Sequence, residues 1–415
     1  MARRKQAKGS EDGRGESGGS EAEPEDRDEP SDGQRQEPGG AAGGHIAPDH
    51  FEDAGSPVGP ESQISPSADR LRELYETMVL IRLFEEETER QYKKARIGGY
   101  CHLSSGQEAV AVGGLEPLGQ DDILVSAYRC HHLALARGIS PESVMAELFG
   151  RADGCAGGRG GSMHLADPTR GYLGGWGIVA GHVPLATGAA FTFAQTDQPH
   201  AVLCELGEGA VNEGAWHEAL NLAGLLQLPV VYLVENNIYG MGTSVHMASA
   251  EPEVWKRVGA FAMHAERIDG QDLEAVMEAS DRLLRRAREE RLPALLECIT
   301  YRYRGHSVAD AGTAYRTEEE IEEWKGNDPI SRFGQILRDR GIVESDEELD
   351  EVRERMDARV QEAVEFAENA DPPELDSLAR HVYGDEHAGE QFARMTPGSP
   401  FGERELVLEK ELGDG

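Results

Sequence analysis

The segment of residues 200–245 alternates apolar runs with a helical pattern, which predicts a strand, a turn, a helix and a second strand. The run VLCEL at residues 202–206 predicts a buried strand that ends at the glycine-bearing turn of residues 207–209. Apolar residues then recur at helical spacing over residues 215–228, and a proline separates them from a second apolar run, residues 230–234. This order predicts a βαβ unit, whose parallel strands open their carboxyl ends at the edge where open α/β sheets bind ligands.

Strands and helices also alternate on both sides of this unit, so the predicted fold class is α/β, with a mostly parallel sheet flanked by helices. The α/β domain is predicted to span residues 67–316, and residues 317–385 are predicted to form a helical carboxyl-terminal extension packed on it. Residues 1–66 are rich in Gly, Glu, Asp, Ser and Pro, which predicts a disordered acidic tail; residues 386–415 are a second tail. The amino-terminal tail is interpreted as a solvating segment, with a docking arm as the alternative.

Oxygen-bearing residues follow both strands of the βαβ unit. Glycines on either side of Glu208 allow backbone N–H groups to approach phosphate oxygens, and the following helix adds its positive end. Mg²⁺ prefers oxygen ligands and is usually held by only one or two protein carboxylates plus substrate phosphates. The Glu208 carboxylate, the Asn237 amide oxygen and the Tyr239 main-chain carbonyl are therefore candidate metal ligands. A lone G-x-G is most often only a turn, but here it lies between two buried strands.

The sequence GEGAVNEG…ENNIYGMGTSV resembles the thiamine-diphosphate motif, a GDG…NN pattern. It is particularly similar to the alpha subunits of the pyruvate dehydrogenase component of 2-oxo-acid dehydrogenase complexes. The resemblance extends from about Leu71 to about Tyr383. It implies a thiamine-diphosphate-binding fold, thiamine diphosphate and Mg²⁺ as cofactors, and oxidative decarboxylation of pyruvate with reductive acetylation of a lipoyl group. The family motif often has Asp where this chain has Glu208, so the carboxylate lies one methylene further from the backbone.

Other functions stay open beside the pyruvate enzyme. Within the class, the chain could be the alpha subunit of a branched-chain 2-oxo-acid or acetoin dehydrogenase. From a different class, it could be a non-catalytic scaffold of the same fold, in which Glu208 has disabled the metal site. Residues 241–243 and 305–307 resemble pyruvate enzymes more closely than branched-chain ones.

The resemblance implies two catalytic histidines, His306 and His102. His306 follows a predicted strand that runs past Leu295 through Tyr303, and a histidine on such a loop can stabilise and protonate reaction intermediates. His102, in GYCHLSSGQEA, matches a family histidine near the cofactor diphosphate, although an isolated histidine is more often structural. The complete set of implied cofactor contacts is His102, Tyr128, Arg129, Gly177, Val179, Glu208, Gly209, Ala210, Asn237, Tyr239 and His306.

Several of these contacts also have a plain structural interpretation. Tyr128 and Arg129 match a pair that contacts the diphosphate, which suits an arginine fork, but they could form an ordinary helix-start ion pair. Main-chain groups of Gly177 and Val179 match the family's grip on the aminopyrimidine, whereas a tight strand-to-helix turn is the alternative. Trp176 stands where a small polar residue is expected, so the shape of this corner is left open.

Three further features lie near the predicted site. The glycine-dense stretch 154–164 is typical of a flexible linker, but its ending, SMH, resembles the family's loop at the active-site entrance. Ser307 matches a serine that is phosphorylated in mitochondrial relatives; because Ala309 and Ala314 replace two other serines, a plain loop serine is preferred. A basic island is predicted either to hold the loop against acidic neighbours or to meet an acidic lipoyl-bearing domain, and it consists of Arg302, Arg304 and Arg316.

Length and charge restrict the partners. A family member of 415 residues divides the thiamine site with a beta chain, so the resemblance implies a two-alpha, two-beta heterotetramer. It also implies a lipoyl domain of the dihydrolipoyl acetyltransferase as a partner and a small 2-oxo acid as the substrate. The formal net charge of −36 argues against nucleic acid and against an anionic membrane as partners.

Composition also bears on localisation. The five cysteines form no CxxC pair, which is typical of reduced thiols in a cytoplasmic protein. No apolar run approaches the roughly 18 residues of a membrane span, and the start of the chain resembles neither a secretory signal nor a transit peptide. These features predict a bacterial cytoplasm. With only seven lysines among the 41 basic residues, the acidic composition further suggests a halophile.

Overall fold

One parallel sheet forms the centre of the protein, which is described here by a computed structural model covering residues 61–377. The strands are β1 Ile123–Ala127, β2 Tyr172–Trp176, β3 Val202–Gly207, β4 Val230–Asn236, β5 Tyr239–Gly240, β6 Thr243–Ser244, β7 His264–Asp269 and β8 Ala294–Ile299. Six of them form the sheet in the order β2-β1-β3-β4-β8-β7, and every neighbouring pair is parallel. A short antiparallel pair, β5 and β6, follows β4. The predicted α/β class with a parallel sheet is confirmed.

Helices cover both faces of the sheet. They are α1 Ala68–Lys93, α2 Glu108–Leu115, α3 His131–Ala136, α4 Pro141–Leu148, α5 Val183–Gln195, α6 Gly214–Leu226, α7 Val245–Ala248, α8 Val254–Arg257, α9 Leu273–Glu290, α10 Glu318–Gly326, α11 Pro329–Asp339 and α12 Asp346–Asn369. On one face, α1 to α4, α9, α11 and α12 pack over Leu203, Leu233 and Leu296. On the other face, α5 and α6 pack over Cys204 and Tyr232. The buried strands are apolar on both faces because each face has its own core.

The predicted βαβ unit is β3, α6 and β4, and its local sequence accounts for its boundaries. Gln227 takes a left-handed conformation that ends α6, and Pro229 follows before β4 begins. β3 and β4 pair in register from Val202 with Val230 to Gly207 with Glu235. The turn after β3 and the asparagines that end β4 therefore lie at the same edge of the sheet.

The chain after β8 differs from the sequence prediction in where its strand ends. The strand predicted to run through Tyr303 ends at Ile299, because its neighbour β4 also ends there. The Thr300 N–H still donates to the Asn236 carbonyl, whereas the Tyr303 N–H donates to the Ser105 carbonyl. The predicted helical extension begins with α10, whose Thr317 side chain caps Glu320 N–H at 3.1 Å. Helices α11 and α12 share the core of α1 and α4.

The predicted tails lie outside the described residues, apart from residues 61–66. There, Ser62 Oγ and Gln63 N–H donate to the Asp281 carboxylate of α9 at 3.0 and 2.8 Å. Residues 378–415 include the end of the predicted extension and the second tail, and they also lie outside the described part. Within residues 61–377, no helix combines the length and apolar character needed to cross a bilayer.

Candidate active site

A cavity of about 380 Å³ lies at the carboxyl ends of β1, β3 and β4. Its walls come from the turn after β3, the segment after β4, the residues after β1 and the loop after β8. Of the predicted cofactor contacts, all but His102 and Gly177 line it: Tyr128, Arg129, Val179, Glu208, Gly209, Ala210, Asn237, Tyr239 and His306. Residues up to about 180 positions apart in the sequence thus meet at the predicted edge of the sheet.

Glu208 opens the short 3₁₀ turn Glu208–Asn212 directly after β3. Its carboxylate is buried and accepts a hydrogen bond from the Asn237 N–H at 3.3 Å. Burial raises the pKa of this carboxyl, while the nearby Arg302 guanidinium has the opposite effect. Glu208 therefore reaches the end of β4 in spite of its extra methylene.

Asn237 and Tyr239 present their oxygens to the same guanidinium. Arg302 Nη1 donates to Asn237 Oδ1 at 3.3 Å and to the Tyr239 carbonyl at 3.1 Å, and its Nη2 donates to the Met241 carbonyl at 2.6 Å. The Asn237 amide nitrogen donates to Gln107 Oε1 at 3.1 Å, which fixes the direction of the amide oxygen. The predicted metal ligands thus share one cationic neighbour inside the protein.

Two histidines and a tyrosine form a cluster beside these ligands. The His102 ring centroid lies 4.5 Å from that of Tyr128 and 5.1 Å from that of His306. Tyr128 Oη lies 3.5 Å from His306 Nε2. Burial, followed by the charge of Arg129, lowers the pKa of His102 to about 2 and that of His306 to about 3. Both imidazoles are therefore neutral at pH 7, and each can offer one donor and one acceptor nitrogen.

Arg129 is buried beside this cluster. Its guanidinium donates to the carbonyls of Leu103 and His306, the latter at 2.9 Å. Arg129 therefore ties the His102 segment to the loop after β8 while also lining the cavity. A helix-start ion pair, the alternative interpretation, is not what these contacts form.

The predicted basic island is mostly internal. Arg302 and Arg316 are buried, and Arg316 donates to the carbonyls of Arg302 and Arg304 at 2.6 and 2.7 Å. The exposed Arg304 pairs with Glu89 at 3.0 Å. These contacts agree with the first predicted role of the island, which is to hold the loop.

Asp310 organises the same loop. Its carboxylate accepts hydrogen bonds from the His306 N–H at 2.7 Å, the Gly312 N–H at 2.8 Å and the Tyr315 hydroxyl at 2.6 Å. Burial acts to raise its pKa, but these hydrogen bonds prevail and lower it to about 2. Asp310 is thus ionised at neutral pH and holds the His306 backbone in place. Ser307 lies within this loop, and its role as a plain loop serine rather than a phosphorylation site stays a prediction.

Gly177 and Val179 connect β2 to α5, as the strand-to-helix interpretation predicted. Val179 lines the cavity, whereas Gly177 packs on the His164 ring, where an added Cβ would lie 3.1 Å from two ring atoms. Ile178 between them is 75% exposed. The segment therefore forms a wall of the cavity whose outer side carries an exposed apolar side chain.

Four residues of the site were missed by the sequence interpretation. Glu205 of β3, Glu235 of β4 and His182 line the cavity, and Gln107 orients Asn237. His132 Nε2 lies 2.8 Å from Glu235 Oε1. A usable signal existed, because a carboxyl residue inside an otherwise apolar strand is rarely buried without a role.

The oxygen ligands of this cavity suit a cation, and a nearby polar atom without a hydrogen-bond partner among the described residues suits a phosphate ester. In the described part of the chain, no three His, Cys, Asp or Glu side chains are grouped as a closed metal site. One carboxylate, one amide oxygen and one carbonyl are an incomplete shell of the type that Mg²⁺ completes with water and phosphate oxygens. His102 Nδ1 is buried and has no partner among the described residues. The residues present therefore fit thiamine diphosphate and Mg²⁺.

Comparison with known proteins agrees with this arrangement. Residues 76–376 match the family described as Dehydrogenase E1 component. This match spans most of the chain and includes the cavity residues, so the chain belongs to the dehydrogenase E1 component family. The family predicted from GEGAVNEG…ENNIYGMGTSV is confirmed.

Curated relatives extend this result. The chain is 37% identical over 331 residues to the pyruvate dehydrogenase E1 component subunit alpha of Porphyra purpurea, covering 78% of this chain and 96% of the relative. It is 40% identical over 310 residues to the protein of the same name in Rickettsia bellii, covering 74% and 94%. It is 39% identical over 322 residues to the chloroplastic pyruvate dehydrogenase E1 component subunit alpha-3 of Oryza sativa, covering 75% of each chain.

Proposed function

We propose that this chain is the alpha subunit of a pyruvate dehydrogenase that uses thiamine diphosphate and Mg²⁺. Its reaction is the oxidative decarboxylation of pyruvate with reductive acetylation of a lipoyl group on a dihydrolipoyl acetyltransferase. The observation that carries the proposal is the convergence of Glu208, Asn237 and Tyr239 on one cavity wall, with the neutral His306 on the same cavity. The names of the relatives favour pyruvate as the substrate.

The chain's own residues bind and orient. Glu208, Asn237 and Tyr239 would hold Mg²⁺, and the backbone of Gly209 and Ala210 would face the diphosphate at the start of the turn before α6. When bound, thiamine diphosphate supplies the electron sink for the loss of carbon dioxide. His306, close to the Tyr128 hydroxyl, is in its neutral form, so its Nε2 could hold or move a proton at the wall of the cavity.

The site is half of an enzyme, and apolar surface supports a beta-subunit partner. Exposed apolar side chains lie on the outer faces of α5 and α6 and on the cavity wall, namely Leu185, Phe191, Leu222, Leu225, Leu226 and Ile178. Apolar patches of this kind mark protein interfaces. A two-alpha, two-beta heterotetramer would cover them and would complete the cavity with the acid that activates the aminopyrimidine.

The proposed location is a bacterial cytoplasm with high salt. The charge of −36 is self-repelling at low ionic strength, and salt screens such repulsion over a Debye length of about 10 Å at 0.1 M. The assembled enzyme is expected to lose thermal stability when salt is removed. Full stability and activity in a salt-free buffer would contradict the halophilic proposal.

Substrate preference is tested by turnover. The chain and its beta partner are copurified, and lipoyl-domain acetylation or acylation is followed with pyruvate, 3-methyl-2-oxobutanoate and acetoin. We expect the largest kcat/KM for pyruvate. A larger value for either alternative would assign the chain to the branched-chain or acetoin enzymes, and no turnover with any of the three would favour the scaffold.

A further inference from the structure

A buried carboxylate lies inside the glycine-dense loop of residues 154–161. The carboxylate of Glu147, near the end of α4, accepts hydrogen bonds from four backbone N–H groups of this loop. Its Oε2 accepts from Ala156 and Gly158, each at 2.8 Å, and its Oε1 accepts from Gly160 at 2.7 Å and Gly161 at 3.1 Å. The loop is folded around an anion that the chain itself supplies.

Close packing explains two of the glycines in this loop. A Cβ on Gly154 would overlap the Glu147 side chain and backbone, and a Cβ on Gly158 would lie 2.5 Å from the Arg151 carbonyl. Gly158 also has a φ of +73°, which favours glycine. The composition that is typical of a flexible linker therefore belongs to a tightly packed loop.

From Glu147 the contacts continue to the wall of the cavity. The loop ends in Ser162, whose hydroxyl lies 2.8 Å from His131 Nε2, and His131 Nδ1 lies 2.8 Å from the Glu85 carboxylate. His164 follows, with its Nδ1 3.1 Å from the Gly175 carbonyl and its ring against Gly177. Val179, two residues beyond Gly177, lines the cavity.

We propose that Glu147 is a positioning residue, which holds the loop of residues 154–164 under the wall of residues 175–179 and so shapes the aminopyrimidine end of the cavity. The proposal rests on the proposed function, because it assumes that thiamine diphosphate occupies the cavity. Glu147 itself is not part of the cavity lining, whereas the proposed metal ligands at the end of β4 are. A change at Glu147 should therefore affect one end of the cofactor and spare the other.

The experiment uses the full-length chain copurified with its beta partner. Glu147→Gln replaces one acceptor oxygen by an NH₂ group, so at least two buried N–H groups lose their acceptor. Glu142→Gln makes the same chemical change in the first turn of α4 and is the matched control. Dissociation constants are measured in the presence of Mg²⁺ for two ligands: thiamine diphosphate, which fills both ends of the cavity, and inorganic pyrophosphate, which fills only the metal end.

For Glu147→Gln we expect the Kd of thiamine diphosphate to rise about tenfold and the Kd of pyrophosphate to stay within about twofold, consistent with the cost of unsatisfied buried donors. Tryptic cleavage after the exposed Arg159 in the loop, identified by mass, should become about tenfold faster. Glu142→Gln should change neither the ratio of the two constants nor the cleavage rate. A general loss of folding would raise both constants together and would overturn the proposal.

An unchanged ratio in a folded Glu147→Gln variant also overturns it. If that variant yields no folded protein, the same ratio is measured on Glu147→Asp, which retains both acceptor oxygens on a shorter side chain, and an unchanged ratio there counts equally against the proposal. Failure of the unmodified chain to bind thiamine diphosphate would instead refute the proposed function, and the cleavage rate after Arg159 would still report on the loop.

Discussion

Two glycine-bearing turns in this protein are alike in composition and opposite in use. The loop of residues 154–161 directs four N–H groups at the buried Glu147 carboxylate, and a Cβ added at Gly154, Gly158 or Gly160 would collide with neighbouring atoms. The turn of residues 207–210 lines the 380 Å³ cavity; an added Cβ at Gly207 meets nothing within 4 Å, and at Gly209 the nearest atom is 3.6 Å away. The first turn is filled by the protein, and the second faces open space.

The difference shows what separates a structural glycine turn from a binding one. Both offer backbone donors to an anion, which is why glycine density alone does not tell them apart. In the first, the carboxylate comes from the preceding helix, seven or more residues upstream. In the second, the facing side is a cavity lined by oxygen ligands, and the nearby His102 has an Nδ1 without a partner among the described residues, so the anion has to come from outside.

Removing a metal ligand from the open turn should have the largest effect. Asn237→Ala deletes one of three proposed oxygens, and loss of supporting residues alone typically costs metal sites 10- to 100-fold in affinity. We expect Mg²⁺-dependent binding of thiamine diphosphate to weaken by more than about a hundredfold. Isothermal calorimetry measures it, with the exposed Asn369→Ala on α12 as the control. Micromolar binding retained by Asn237→Ala would contradict the ligand assignment and leave the scaffold alternative standing.

His306 tests the chemistry of the same open edge. His306→Ala should lower kcat for lipoyl acetylation about a hundredfold, the lower end of what a positioned acid or base contributes. The Kd of thiamine diphosphate should change little, because the metal ligands stay in place. His200→Ala, at the opposite edge of the sheet just before β3, should leave kcat unchanged. An equal fall of kcat in both variants would assign the effect to stability.

The sequence allowed the open turn to be predicted, because its strand, its turn and its second strand are local patterns. Arg302 was expected at a loop, yet its contact with the oxygens of Asn237 and Tyr239 depends on where β8 lies beside β4. Glu147 was not singled out at all, since nothing in an ordinary amphipathic helix signals that its carboxylate will be surrounded by a later loop. Long-range packing, which no local pattern encodes, produced both the Arg302 contacts and the loop around Glu147.

A matched pair of alanine substitutions separates the two turns directly. Gly158→Ala should destabilise the cofactor-free chain by about 1–3 kcal/mol, because of its positive φ and the close Arg151 carbonyl, and leave pyrophosphate binding intact. Gly209→Ala should leave unfolding in urea unchanged, because the nearest atom to its Cβ is 3.6 Å away, and should weaken Mg²⁺-pyrophosphate binding about tenfold, because Gly209 lines the cavity that the diphosphate would fill. The reverse result, with Gly209→Ala unstable and Gly158→Ala deficient in binding, would break the comparison.

The buried carboxyl groups of the two regions also differ in the number of hydrogen-bond donors that they receive. The pH dependence of the unfolding free energy should reveal this difference. Glu147 receives four backbone donors, whereas the carboxylate of Glu205, which lines the open cavity, receives one among the described residues, the Ala127 N–H at 2.9 Å. Burial, reinforced by the neighbouring Glu235, raises the pKa of Glu205 well above its usual range. The folded chain therefore keeps a proton there that the unfolded chain releases near its ordinary pKa of about 4.3.

The sign of the effect follows from this difference. Above the unfolded pKa the folded state binds one more proton, so this site loses stability as pH rises, by about 1.4 kcal/mol per pH unit until the folded pKa is passed. Glu205→Gln is neutral at every pH and escapes that loss. The difference in unfolding free energy between the variant and the unmodified cofactor-free chain should thus grow in favour of the variant from pH 5 to 8. The histidines with lowered pKa values contribute equally to both proteins, so their effects cancel in the difference. If the two curves of unfolding free energy against pH were parallel, Glu205 would be ionised in the folded chain.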